Sequence, residues 1–160
     1  MRMMKSLLQT VAITMILATS CIVAQAESLK PISEYLHLPE DRRDKAYPFV
    51  RCIGLFQAVF RYGGANFSDE DALKTEMGNQ AMGLIALMLR LDRYADVSPD
   101  DLAEQIGKEV EDTTVVYHDR MATNYTLTGE AYGSDATILD DFNTCRDMAA
   151  ASLDRVQNLE

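Results

Sequence analysis

An all-α, single-domain four-helix up-down bundle is the fold this 160-residue sequence predicts, and three features predict it. Four long segments carry apolar residues at three- and four-residue steps. Each opens and closes on residues suited to helix ends. No stretch alternates apolar and polar residues for long enough to make a strand. The bundle is expected over residues 48–160, after an extended arm at 27–47 and a leader at 1–26.

The leader reads as an export signal. Arg2 and Lys5 form a basic start, "LLQTVAITMILATSCIVA" an apolar middle, and Ala24-Gln25-Ala26 a small-x-small site for cleavage after Ala26. Two other readings compete with it. Gln9 and several threonines dilute the stretch as a permanent membrane anchor. Lipidation of Cys21 would want leucine three residues earlier, where Ala18 stands. A cleaved leader and no stable membrane anchor is therefore the expectation, with the protein periplasmic or secreted. The arm "ESLKPISEYLHLPEDRRDKAY" is polar and broken by Pro31 and Pro39, leaving room for one short helical turn around Ser33 to Leu38.

The first long helix starts near Pro48, where a residue without an N–H is tolerated, and stops at Gly63-Gly64. Its apolar stripe is Phe49, Cys52, Ile53, Phe56, Val59 and Phe60. The second starts at Ser68-Asp69-Glu70-Asp71, a hydroxyl cap followed by carboxylates that complement the helix dipole. Its expected inner face is Leu73, Met77, Ala81, Leu84, Met88, Leu91 and Ala95, widened by Ile85 and Leu89. The third starts at Ser98-Pro99-Asp100-Asp101 and stops at Gly129, burying Leu102, Ile106, Val110, Thr113, Tyr117, Met121 and Tyr125. The fourth starts after Ser134 and turns Ile138, Phe142, Cys145, Ala149 and Val156 inward, with Asp135 and Asp140-Asp141 as first-turn charges. Short connections favour antiparallel neighbours, hence the up-down order.

Without the leader, 25 acidic residues face 13 basic ones, a net charge of −12. That surface repels phosphate backbones and anionic lipid, so nucleic acid is not an expected partner. A protein partner is expected, a cationic one fitting the charge, and no cofactor.

Cys52 and Cys145 are the only cysteines past the leader, and both sit on apolar stripes of helices that an up-down order makes neighbours. In an oxidising compartment such a pair persists as a disulfide. Closing a loop of this length contributes about 4 to 5 kcal/mol by loop entropy. A catalytic cysteine wants a lowered pKa and a histidine beside it, and a structural zinc site wants four ligands at CxxC or HxxxH spacing. His37 and His118 are the only histidines, in the arm and on a polar helical turn.

The polar candidates point weakly to chemistry. "Tyr117-His118-Asp119-Arg120" looks reactive, but adjacent helical residues diverge. Asp69, Glu70 and Asp71 with Glu109, Glu111 and Asp112 are conceivable calcium ligands without EF-hand spacing. Met77, Met82, Met88, Met121 and Met148 could supply thioethers to copper, though four of them (Met77, Met88, Met121 and Met148) lie on or beside apolar stripes and read as core filling. Asn66-Phe67-Ser68 and Asn124-Tyr125-Thr126 fit the glycosylation sequon, relevant only to a eukaryotic secretion route.

The leader, "YPFVRCIGLFQAVFRYGG", the long acidic helices and "DFNTCRDMAA" together resemble small exported helical proteins of unknown function from Gram-negative bacteria. The resemblance implies export and the cysteine pairing. The sequence thus predicts no enzyme but an exported protein that acts by binding another, such as an inhibitor, immunity or envelope-associated factor, with Tyr35, Leu36 and Leu38 as the contact to watch. The alternative is a metal-binding protein or small enzyme whose site is assembled around His118, Tyr125 and the helix-start carboxylates.

Overall fold

The second long helix of the sequence turns a different face to the core from the one its large apolar residues mark out, and that rotation shapes the molecule. In the computed structural model, which describes residues 29–63 and 68–158, five helices follow in order: α1 (Ile32–Leu36), α2 (Tyr47–Gly63), α3 (Asp69–Arg93), α4 (Pro99–Thr128) and α5 (Ala136–Gln157), with a 3-10 turn at Glu40–Arg42 between the first two. No strand occurs among the described residues. The leader, Cys21, Gly64 and Asn66 lie outside them.

Local chemistry sets the helix ends. The Ser68 and Ser98 hydroxyls each accept the N–H three residues on, from Asp71 and Asp101, both at 3.1 Å. Pro99 opens α4, and Gly129 closes it at φ 78°, a left-handed conformation that glycine adopts without a Cβ penalty. α5 opens on Asp135, whose Oδ1 accepts the N–H groups of Thr137 and Ile138.

An up-down ring would make consecutive helices the main packing pairs. Here the broadest contacts join α2 to α4 and α3 to α5. The reason is α2 itself, which buries residues on every side: Val50, Arg51, Cys52, Ile53, Gly54, Leu55, Ala58 and Val59. A helix apolar all round belongs in the middle, and α2 touches every other helix. α2 and α4 run antiparallel, since Arg51 meets Tyr117, Gln57 meets Thr114 and Arg61 meets Glu111. One apolar core draws on all five helices, from Ile32 through Leu55, Met82, Met121 and Ile138.

On α3 the expected inner face is corrected in part: Ala81 and Ile85 are buried and Leu89 packs against the core, as expected. Leu73, Met77, Leu84 and Met88 are 61, 43, 43 and 38 % exposed, and the buried side is Gly78, Ala81, Met82, Ile85, Ala86 and Arg90. Small residues face inward because α3 lies close to α5: a Cβ on Gly78 would stand 3.2 Å from that of Ala149. Among the methionines expected in the core, Met121 is fully buried and Met148 packs against the cluster, but Met77 and Met88 are exposed and Met82 is fully buried instead. On α4, Thr114 rather than Thr113 is fully buried, and Tyr125 is 56 % exposed.

The arm is not extended. Ile32 is completely buried, α1 packs on α5 and α2, and Asp44 and Arg43 tie the following turn down. Two prolines break the segment into short helical pieces, which then dock through Ile32.

Gly54 permits the close approach of α2 to α4, because a Cβ there would sit 2.8 Å from both Cβ and Cγ2 of Thr113. Thr113 Cβ is fixed by the backbone and cannot yield. Gly54→Ala is therefore expected to lower stability by about 1 to 2 kcal/mol, overpacking outweighing the gain in helix propensity. At Gly107, on the exposed side of α4, an added Cβ would meet nothing within 4 Å, and Gly107→Ala should raise stability by about 0.5 to 1 kcal/mol. Urea unfolding of the two variants checks both signs.

Candidate functional site

A charged residue on an apolar helical face must find its partners inside the protein. Arg51 lies between Val50 and Cys52 on the most buried helix, and Asp141 occupies the stripe position between Ile138 and Cys145 on α5. Their side chains are 3 and 0 % exposed. Arg51 Nη2 donates to Asp141 Oδ2 at 2.6 Å, and Arg51 Nε donates to the Tyr117 hydroxyl at 2.8 Å. Tyr117 in turn donates to Asp141 Oδ2, while the backbone N–H of Ile32 donates to Asp141 Oδ1 at 2.6 Å. One carboxylate thus joins α1, α2, α4 and α5. Asp141, expected as a solvated first-turn charge, is corrected to a buried node.

Burial pushes the Tyr117 hydroxyl well above the usual phenol range. Burial alone would lower the Arg51 pKa, but Tyr117 and Asp141 outweigh it and the net shift is upward. The network is a closed set of buried hydrogen bonds, without an exposed face for substrate.

The Cys52 and Cys145 sulfurs stand 2.09 Å apart, at bonding distance, with Cα atoms 5.1 Å apart and both residues fully buried. Met148 Sδ lies 3.8 Å from Cys52 Sγ. The pair adjoins the polar node directly, since Arg51 precedes Cys52 and Asp141 lies one helical turn before Cys145.

A second polar cluster reaches the surface. Arg90, on the last turn of α3, is 8 % exposed in its side chain. Its Nη2 contacts Asp44 Oδ2 at 2.6 Å and Glu109 Oε2 at 2.9 Å, and its Nη1 donates to Glu109 Oε1 at 3.2 Å. Burial opposes the Arg90 charge, but hydrogen bonding to Glu109 and the nearness of Asp44 outweigh it, so its pKa moves up. These residues floor a recess of about 420 Å³ completed by Tyr35, Tyr47, Asp112 and Thr113. The Tyr35 and Tyr47 rings lie 4.8 Å apart at 53°. The Tyr35 hydroxyl accepts from Asp44 N–H at 2.7 Å and donates to Asp44 O at 3.2 Å, which fixes its ring, and burial raises its pKa. Leu36 and Leu38 stand beside it, 37 and 45 % exposed. A further recess of about 490 Å³ lies between α2 and α3, lined by Phe56, Phe60, Leu73 and Asn79 among others.

Of the residues named for an alternative site, His118 and Tyr125 both stand against the Tyr62 ring, with ring centroids 5.8 and 6.3 Å from it, and His118 Nδ1 lies 3.6 Å from Oδ1 of its own neighbour Asp119. His37 Nδ1 lies 2.6 Å from Ser33 O. No group of three or more His, Cys, Asp or Glu side chains able to hold a metal ion occurs among the described residues. Asn124 of the second sequon is half-buried and donates to Ala131 O and Asp135 Oδ2. No helix among the described residues is long and apolar enough to cross a membrane. Comparisons with protein-family models, curated proteins and solved structures return no match.

Asp135 is both the cap of α5 and the partner of Arg120, whose Nε and Nη2 bond its two oxygens. Burial raises its pKa, but Arg120, Asn124 and the Ile138 N–H outweigh that and hold it below the ordinary value. A carboxylate lowered on folding contributes stability above its unfolded pKa, about 3.9, and loses it as pH falls through the folded value. Asp135→Asn keeps a competent cap and removes the charge. It should cost about 1 to 2 kcal/mol above pH 5, and the gap to the parent should close progressively below pH 4. Denaturant midpoints across pH 2 to 7 check this; a gap constant with pH would contradict it.

Proposed function

We propose that this is an exported, non-enzymatic helical protein of the periplasm or extracellular space that works by binding another protein, as an inhibitor, immunity or envelope-associated factor does. The observation that carries the reading is the docked N-terminal segment. It presents Leu36 and Leu38 to solvent from a support held at both ends, by the Ile32 N–H on Asp141 and by Asp44 on Arg90. A rigid apolar contact binds without a large ordering cost. Export is supported by the leader pattern. It is also supported by the Cys52–Cys145 distance, which suits an oxidising compartment.

Affinity capture from the periplasmic fraction of the source cell tests the reading. A tagged protein should retain a partner at low salt and release it as salt rises, and a Leu36→Asp, Leu38→Asp double variant should lose that partner at every salt. Both residues are more than a third exposed, so the variant should remain folded, with a denaturant midpoint only modestly below that of the parent. Capture that survives the double substitution, or no partner at low salt, would overturn the proposal.

A further inference from the structure

Helix α3 is apolar on two sides, and the core uses only one of them. Gly78, Ala81, Met82, Ile85 and Ala86 face inward, while Leu73, Met77, Leu84 and Met88 keep between 38 and 61 % of their surface in solvent. These four follow one another at steps of about one, two and one helical turns, so they share a single stripe along the outside of the helix. Residues 77–91 contain one charge, Arg90, and its side chain is buried against Asp44 and Glu109. Over about four turns the outer face of α3 therefore shows water no charge, in a strongly acidic protein. An apolar face of that length on a helix is normally covered.

We infer that a second copy of the protein covers it, α3 against α3, antiparallel about a two-fold axis. Three features of the helix choose that occupant. The stripe reads the same from either end. An axis crossing α3 near Gln80 and Ala81 brings Leu73 of each copy level with Met88 of the other, and Met77 level with Leu84, so every large apolar residue meets another. The flanking charges complement each other under the same axis. Lys74 and Asp92, both exposed, stand about five full turns apart and hence on one flank of the stripe. In an antiparallel pair each flank faces its own counterpart, so the Lys74 end of one copy lies beside the Asp92 end of the other, twice. Within its own chain Lys74 meets only Glu70, in an exposed pair that costs little to exchange. Length supplies the third feature. A helix of 25 residues spans about 37 Å, and an antiparallel contact along it buries on the order of 1,000 Å² in total, the low end of specific interfaces, which suits micromolar association. A lipid surface fits less well, because Asp69, Glu70 and Asp71 at the start of the helix would face anionic headgroups.

Sedimentation equilibrium of the oxidised protein over a concentration series tests this. A reversible monomer–dimer equilibrium with a micromolar dissociation constant is the expected result, and Leu84→Glu, at an exposed position, should weaken it at least about tenfold while circular dichroism stays that of the parent. Charge exchange then reads the orientation. Lys74→Glu and Asp92→Lys should each dimerise about tenfold more weakly than the parent, because each sets like charges together twice. An equimolar mixture of the two variants restores both pairs and should form a heterodimer as tight as the parent dimer. A protein that stays monomeric up to about 1 mM overturns the inference, as does a dimer indifferent to Leu84→Glu or a mixture no tighter than its components. A monomer whose binding to phosphatidylethanolamine–phosphatidylglycerol vesicles is abolished by Leu84→Glu would also overturn it, giving the stripe to lipid, and loss of partner capture by Leu84→Glu in a monomer would give it to the partner. The Leu36→Asp, Leu38→Asp variant should dimerise like the parent, which keeps this inference separate from the partner-binding reading.

Discussion

A carboxylate with no access to water organises this protein. Removing an ionised group from solvent costs several kcal/mol, and the cost is met only where partners arrive in good geometry. Asp141 has three: the Arg51 guanidinium, the Tyr117 hydroxyl and the Ile32 N–H, each from a different helix. A one-residue slip of α2 or α5, or a detached N-terminal segment, would strand a buried charge. The node therefore acts chiefly on register, allowing one arrangement of α1, α2, α4 and α5 and penalising its neighbours. The cysteine pair lies in the same layer, so the sulfurs meet where the charges have already aligned the helices.

The same logic continues outward to the surface. Arg90, almost as buried as Arg51, fixes Asp44 of the N-terminal segment and Glu109 of α4. The segment from Ile32 to Asp44 is thus held at one end by a carboxylate in the core and at the other by a guanidinium at its edge. Between those points Tyr35, Leu36 and Leu38 are displayed on a braced support. A segment braced this way would change little on the binding proposed for it, whereas a free arm would lose its conformational freedom first.

Much of the fold was legible because it is written locally. Ser68, Ser98-Pro99 and Gly129 act on groups within four residues, and the structure places three helix ends where those residues stand. Two remaining cysteines on inward stripes left one simple pairing. The inner face of α3 was legible only at Ala81, Ile85 and Leu89, because that helix carries two apolar arcs, and size favours Leu73, Met77, Leu84 and Met88. Part of the choice is made by α5, which at Ala149 comes so close that a Cβ on Gly78 would stand 3.2 Å away. Asp141 left a trace that could have been read: an acid spaced three and four residues between Ile138 and Cys145 belongs to the buried stripe. The recess left none. Tyr35 could be singled out as an aromatic among charges, but Asp44, Arg90 and Glu109 come from three separate segments and meet only after folding.

The most direct measurement is a double-mutant cycle on the central node, by urea unfolding of the parent, Arg51→Met, Asp141→Leu and the double variant. Each single substitution leaves the other charge buried and unpaired, and should cost about 3 to 5 kcal/mol. The double variant, with neither charge, should recover much of that loss, giving a coupling of at least about 2 kcal/mol. Additive losses would contradict the account, because they would mean that Arg51 and Asp141 do not depend on each other and that something else sets the register of the helices.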